Sequence, residues 1–263
     1  GTTNNNWKVQ TSGIERLSVT TTGNVGIGRT NPGKLLDVNG DALINGLNVG
    51  RGAGNGSSNA AFGVNALNAN TTGIYNTAVG SNTLIVNTEG DANTAVGQGS
   101  LISNTTGSDN TALGRQALNS NTTGTENTAV GGIALNSNTT GVNNTAVGRQ
   151  ALRNTTTGNS NTSLGQASLN NNITGVNNTA VGRTAGFYIE GSNNTILGAY
   201  QGTSADATLN NTVIISAGST ERLRIDSSGN VGIGTTNPDE ALEVFGNIKL
   251  SQTSTQLIFE DSN

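Results

Sequence analysis

A five-residue phrase, Asn-Thr-Ala-Val-Gly or a near variant, begins at Asn59, Asn76, Asn93, Asn110, Asn127, Asn144, Asn161 and Asn178, each time 17 residues after the last. A ninth copy starts at Asn194 after a one-residue deletion, and a partial tenth at Asn211, where NTVII lacks the glycine. Self-similarity at so short a period implies coils stacked one on another. The consensus NTAVGxxALxxNTTGxx carries two glycines, β-branched Thr and turn-forming Asn, all of which disfavour a helical repeat.

These features predict an all-β chain whose centre, 59–218, is a parallel β-solenoid, or β-roll, of about ten 17-residue coils. The glycines at coil position five (Gly63 to Gly198) and position fifteen (Gly73 to Gly175) are expected to turn with positive φ, with two short extended segments between them. Strand side chains alternate, so Thr at position two and Val at position four share a face, read here as the core. Phe62, Val79, Val96, Leu113, Val130, Val147, Leu164, Val181, Leu197 and Ile214 then form one internal ladder, and Leu67, Leu84, Leu101, Leu118, Leu135, Leu152 and Leu169 form another. Ala at position three is expected to face outward, where a second copy can approach closely. One Val and one Leu per coil bury too little to offset the ordering of a whole coil, so an obligate homo-oligomer is expected.

The repeat is bracketed by a duplication. ERLSVTTTGNVGIGRTNPGKLLDVNGDALI at Glu15–Ile44 returns as ERLRIDSSGNVGIGTTNPDEALEVFGNIKL at Glu221–Leu250, identical at 15 of 30 positions. This predicts two homologous small β modules, 1–50 and 219–263, around the solenoid. The glycines of GNVGIG read as turn residues. A dinucleotide fingerprint would open a helix, whereas a Pro-containing loop follows here.

Composition narrows the chemistry. The chain has no Cys and no His, which removes thiolates and the commonest general base and metal ligand. Its 16 acids are scattered, and Glu89, Asp91, Asp109 and Glu126 near the second turn have no regular partner, unlike the paired carboxylates of a glycosidase. Aspartate-rich calcium loops are absent from the sequence. The expectation is a non-enzyme with no cofactor and no metal. With 12 Lys plus Arg, a net charge of -4 and no basic run, nucleic acid is not an expected partner, and no apolar stretch is long enough for membrane insertion. Opening at Gly1 rather than Met, the sequence reads as a processed or excerpted piece.

Two groups of residues are candidates for ligand binding. Arg115, Arg149 and Arg183 occupy position six on alternate coils and would line one edge about 9.6 Å apart, suited to anionic glycans. The bland reading is ordinary solvated ion pairs. Phe187 and Tyr188 in RTAGFYIEGSNN, with Tyr200 one coil later, stand where the repeat is broken and could stack on sugars. There the bland reading is that Phe187 fills the core slot Gly186 leaves empty.

The NTAVGxxA phrase resembles the head repeat of trimeric autotransporter adhesins, over Asn59–Ser216, and GNVGIGTTNP with LEVFG resembles the flanking modules of phage tail fibre proteins. The first resemblance implies a left-handed β-roll in each of three chains; the second implies a trimeric shaft or connector. Together they imply a homotrimeric structural and adhesive segment of a fibre, recognising host-surface polysaccharide, located on a virion tail or an extracellular cell surface. A bacterial surface adhesin or filament subunit is one alternative. An ice-binding solenoid is another, carried by Thr at positions two, thirteen and fourteen, and an outward position-two Thr would favour it.

Overall fold

The computed structural model describes residues 6–54 and 58–249, so the outer ends of both flanking modules, including Leu250, lie outside the described residues. Four strands, β1 (Trp7–Thr11), β2 (Ile14–Val19), β3 (Val25–Ile27) and β4 (Leu36–Val38), form an N-terminal sheet. The next two, β5 (Ala42–Ile44) and β6 (Leu47–Gly50), begin a second sheet of 15 strands. Into it follow β7 (Ala60–Gly63), β8 (Thr77–Val79), β9 (Thr94–Val96), β10 (Thr111–Leu113), β11 (Thr128–Val130), β12 (Thr145–Val147), β13 (Thr162–Leu164), β14 (Thr179–Val181), β15 (Thr195–Leu197) and β16 (Val213–Ala217). The sheet closes with β17 (Thr220–Ile225), β18 (Val231–Ile233) and β19 (Leu242–Val244).

From β7 to β16 every pairing is parallel, and like positions meet: Thr128 on Thr145, Ala129 on Ala146, Val130 on Val147. The chain is a β-solenoid of about nine parallel coils. Each coil holds one short strand, of three residues from β8 to β15. The second extended segment expected around the leucines is instead a run of tight turns, in which Leu67 to Leu169 adopt φ between 46° and 50°. Left-handed backbone is costly for leucine, and burial of the side chain into the coil centre offsets that strain.

The strand is inverted relative to expectation. Ala78, Ala95, Ala112, Ala129, Ala146 and Ala180 are fully buried, whereas Phe62, Val79, Leu113, Leu164, Val181 and Leu197 are exposed. The position-three alanines therefore form the internal ladder rather than a surface for a second copy. The core is made of them, the position-eight residues (Ala117, Ala134, Ala151) and the leucines. A coil this narrow sets one Leu against two small side chains, Ala or Ser at position three and Ala, Ser or Thr at position eight. Where Ser163 replaces the position-three Ala, Ser168 replaces the position-eight Ala in the same coil, and the two hydroxyls hydrogen-bond inside the core.

Alternation also turns the position-one Asn inward. Asn76 to Asn178 are fully buried at this position, as are Asn87, Asn104, Asn121 and Asn138 at position twelve. Both sets bond along the axis, with Asn138 Oδ1 the exception among those named: Asn144 donates its side-chain amide to Asn127 of the previous coil and to the Gly158 carbonyl of its own, and Asn121 donates to Asn104 and Gly124. Such ladders allow polar groups to be buried without the usual desolvation penalty. The position-fifteen glycines abut them. A Cβ on Gly124 would stand 2.4 Å from Asn121 Oδ1 and 2.5 Å from the Gly141 carbonyl, so close approach, not the positive φ expected, excludes a side chain there.

The final coil is longer than its repeat suggested. Thr212, not Asn211, takes position one, 18 residues after Asn194, and Ile214 accordingly pairs with Ile196 inside the core rather than with Leu197. Ile215 takes the outward place.

The duplicated modules share one topology, with β2, β3 and β4 matching β17, β18 and β19 in pairing sense and register. The match extends one strand beyond the legible duplication. β1 against β2 and β16 against β17 are both antiparallel, with register shifts at the corresponding Val9/Gln10 and Ile215/Ser216. The last solenoid strand is therefore also the first strand of the C-terminal module. The central glycines of GNVGIG, Gly26 and Gly232, are strand residues rather than turn residues; a Cβ would meet the Arg29 or Thr235 carbonyl at 2.5 or 2.8 Å.

Candidate functional site

Because Ala points inward, Thr and Val point out, and the sheet presents two parallel columns. The position-four column begins at Val49, opposite Phe62, and continues through the solenoid to Ile215, Leu223, Ile233 and Val244. It keeps an apolar residue on each strand from β6 to β19. Beside it runs the position-two column from Thr77 to Thr195, which becomes apolar at Val213, Ile225, Val231 and Leu242. Among the described residues, the hydroxyls of this Thr column make no hydrogen bond to protein. The Thr at position thirteen is different, since Thr105, Thr122 and Thr139 each donate to a carbonyl of the next coil.

Arg115, Arg149 and Arg183 lie exposed in one line on the turn after the strand, with Gly132 and Gln166 between them. Backbone bonds from Ile133 to Arg115, Gln150 to Gly132 and Ala167 to Arg149 hold the stack. Among the described residues none of the three enters a salt bridge, and no carboxylate shares their line.

The broken coil is filled differently from either reading of Phe187. Ile189 and Ile196 are fully buried beside Gly186, while Phe187 is only half-buried and Tyr188 is exposed. The two rings meet edge to face at 4.8 Å. Tyr200 does not join them. Its ring packs against the core and its hydroxyl donates to Asp206 at 2.8 Å.

Asp206 belongs to a buried polar cluster that the repeat pattern gave no reason to look for. Arg224 stands opposite Ile214 across the antiparallel pair, so its side chain ends the internal ladder. It binds Glu221 bidentately at 2.7 and 2.8 Å and reaches Asp206 at 3.5 Å. Glu221 hydrogen bonds keep the guanidinium protonated against its burial. Burial by itself would raise the Asp206 carboxyl, but hydrogen bonds from Thr203 and Tyr200, with the Arg224 charge, hold it below the ordinary aspartate range. Burial, then the bond to Asp206, pushes the Tyr200 hydroxyl above the ordinary tyrosine range. Arg224 was detectable in the sequence only as the charged residue standing where the first module has Ser18.

Among the described residues no group of three His, Cys, Asp or Glu could hold a metal ion, and no helix is long and apolar enough to cross a membrane. No known protein family, curated protein or solved structure matches this chain.

Proposed function

We propose that the chain is a structural segment of a homo-oligomeric fibre that displays binding surface for host-cell glycans, with the outward apolar column as its self-association face. The observation that carries this is the continuity of the column through the solenoid into both β6 and the C-terminal module. A contiguous apolar strip of this length on a polar chain is the mark of an interaction surface. Only a partner with the same rise of about 4.8 Å offers a matching rung at every strand, and a further copy of this chain in register has that rise. Three copies about a common axis is the arrangement the adhesin and tail-fibre resemblances imply, and it fits a virion tail or cell-surface setting. The exposed Arg column and the Phe187–Tyr188 pair remain outside such an interface, free to meet anionic and neutral sugars.

Light scattering on the purified protein tests this reading. The expected mass is three times that of the chain, falling to the single-chain mass in Val130→Lys/Val147→Lys with the circular dichroism spectrum kept. A wild-type monomer would overturn it.

The outward Thr column favours a second reading, an ice-binding face, because its hydroxyls make no hydrogen bond to protein among the described residues and recur in register on successive parallel strands. Self-association through the same face would cover them. A monomer showing thermal hysteresis that is lost in Thr128→Leu/Thr145→Leu would favour ice binding over the fibre.

A further inference from the structure

Where the last coil meets the C-terminal module there is a cleft of about 440 Å³, within the range of small-molecule sites. We propose that it binds a neutral sugar, of monosaccharide or disaccharide size, and that it is a glycan subsite of this chain; this deepens the glycan-binding part of the proposed function.

Three observations point to this ligand. The first is the set of groups that line the cleft. Asn211, Arg224, Asp226, Thr236, Asn237 and Pro238 converge there from three separate stretches of chain. Arg224 is 93% buried, being 7% exposed, and while Nε and Nη2 are committed to Glu221, Nη1 has no protein partner among the described residues. Asp226 Oδ1 is committed to the backbone of Ser228 and Asn230, which leaves Oδ2 without a protein partner among the described residues. Asn211 receives a bond from Asn193 on Oδ1 and keeps its amide protons, and Thr236 and Asn237 use neither side-chain donors nor acceptors within the described residues. The lining thus holds both uncommitted donors and uncommitted acceptors, as sugar hydroxyls require, since each both donates and accepts.

The second observation is charge. The Arg224 guanidinium is already paired with Glu221 and Asp206 behind the cleft, and Asp226 adds an uncompensated carboxylate to the lining, so the site disfavours phosphates, uronates and other acidic sugars.

The third is the internal duplication. Arg224 and Asp226 replace Ser18 and Thr20 of the first module, while Asn-Pro is kept at Asn31–Pro32 and Asn237–Pro238. Thr20 Oγ1 accepts the Asn24 N–H at 3.0 Å, as Asp226 Oδ1 accepts that of Asn230 at 2.8 Å. The aspartate keeps the turn cap of the threonine and adds to the lining of the cleft one oxygen that has no protein partner among the described residues.

Saturation-transfer NMR on the whole protein, with glucose, galactose, mannose, N-acetylglucosamine and their β-linked disaccharides at millimolar concentration, tests the proposal. At least one of these should bind, and binding should weaken tenfold or more in Asp226→Thr, which retains the cap used at Thr20. Asn237→Ala should weaken it similarly, and Thr20→Asp should leave it unchanged. The proposal fails if no neutral sugar binds, if neither variant weakens binding, or if only N-acetylneuraminate, glucuronate or calcium chloride alone gives a response. Light scattering on the same samples separates this result from the fibre reading: a monomer that binds sugar keeps the site and loses the fibre, and an assembled protein that binds none does the reverse.

Discussion

Asn127 Oδ1 accepts two hydrogen bonds from Asn144, one from its backbone N–H at 3.0 Å and one from its side-chain amide at 3.1 Å, both fully buried. Asn127 also donates to Asn110 and to the Gly141 carbonyl. Asn127→Ala should therefore leave several buried groups without partners and cost about 3 kcal/mol or more. Asn127→Asp should be at least as damaging, because a carboxylate cannot donate to Gly141. Urea denaturation of both variants checks this, and a loss below about 1 kcal/mol would contradict the ladder's role.

The position-twelve ladder has a gap that can be filled. Thr155 stands where Asn is expected and donates instead to the Asn172 carbonyl, and Asn138 Oδ1 is left buried without a donor. Thr155→Asn should supply that donor and let Asn172 donate back, raising stability by about 1 kcal/mol. Asn172 Oδ1 should stay unsatisfied, since Ile189 fills the next place. A lower denaturation midpoint in the variant would count against this account.

Two glycines in adjacent coils should respond oppositely to the same change. Gly124→Ala drives a Cβ into Asn121 and Gly141 and should destabilise strongly, whereas Gly132 has only the Arg115 carbonyl at 4.0 Å and should tolerate Ala with a change near zero or a gain of up to about 1 kcal/mol. Thermal melting of the pair is sufficient.

Ala146 and Val147 form a similar test of which face is inside. Ala146→Leu should cost about 1–3 kcal/mol or more by overpacking, while Val147→Thr should leave the folded coil almost unchanged and act on association. The reverse ranking would restore the orientation expected from hydrophobicity.

The Asp206 carboxyl sits below its ordinary value of 3.8 in the folded chain, so it binds protons less readily folded than unfolded. Its contribution to stability is complete above that value and is lost as pH falls through the lower folded one. Tyr200→Phe removes one donor, so the variant should be less stable than the parent at neutral pH and converge with it in acid. Melting temperatures from about pH 5 to about pH 2 measure this, and a constant gap would show that the hydrogen bond to Asp206 is not the cause.

The sequence by itself determined the architecture of the centre. A strict period with two glycines and no helix-forming run permits stacked coils and little else, and the parallel register of Thr on Thr and Val on Val follows once coils of equal length stack. It did not determine which side of the strand is inside. Hydrophobicity put Val in and Ala out, but the interior width is a tertiary quantity, set by how far the leucine turns stand from the strand, and at that width the strand residue opposite Leu is Ala or Ser. Nor could composition show that Asn would be buried, because an isolated amide is expensive in a core and becomes tolerable only when the next coil supplies its partner. The candidate sites divide in the same way. Arg115, Arg149 and Arg183 fell in line because a column is a consequence of period alone. The Tyr200, Asp206, Glu221 and Arg224 cluster and the cleft beside it arise where the last coil lengthens and joins a different module, and residues so placed come together only through the fold.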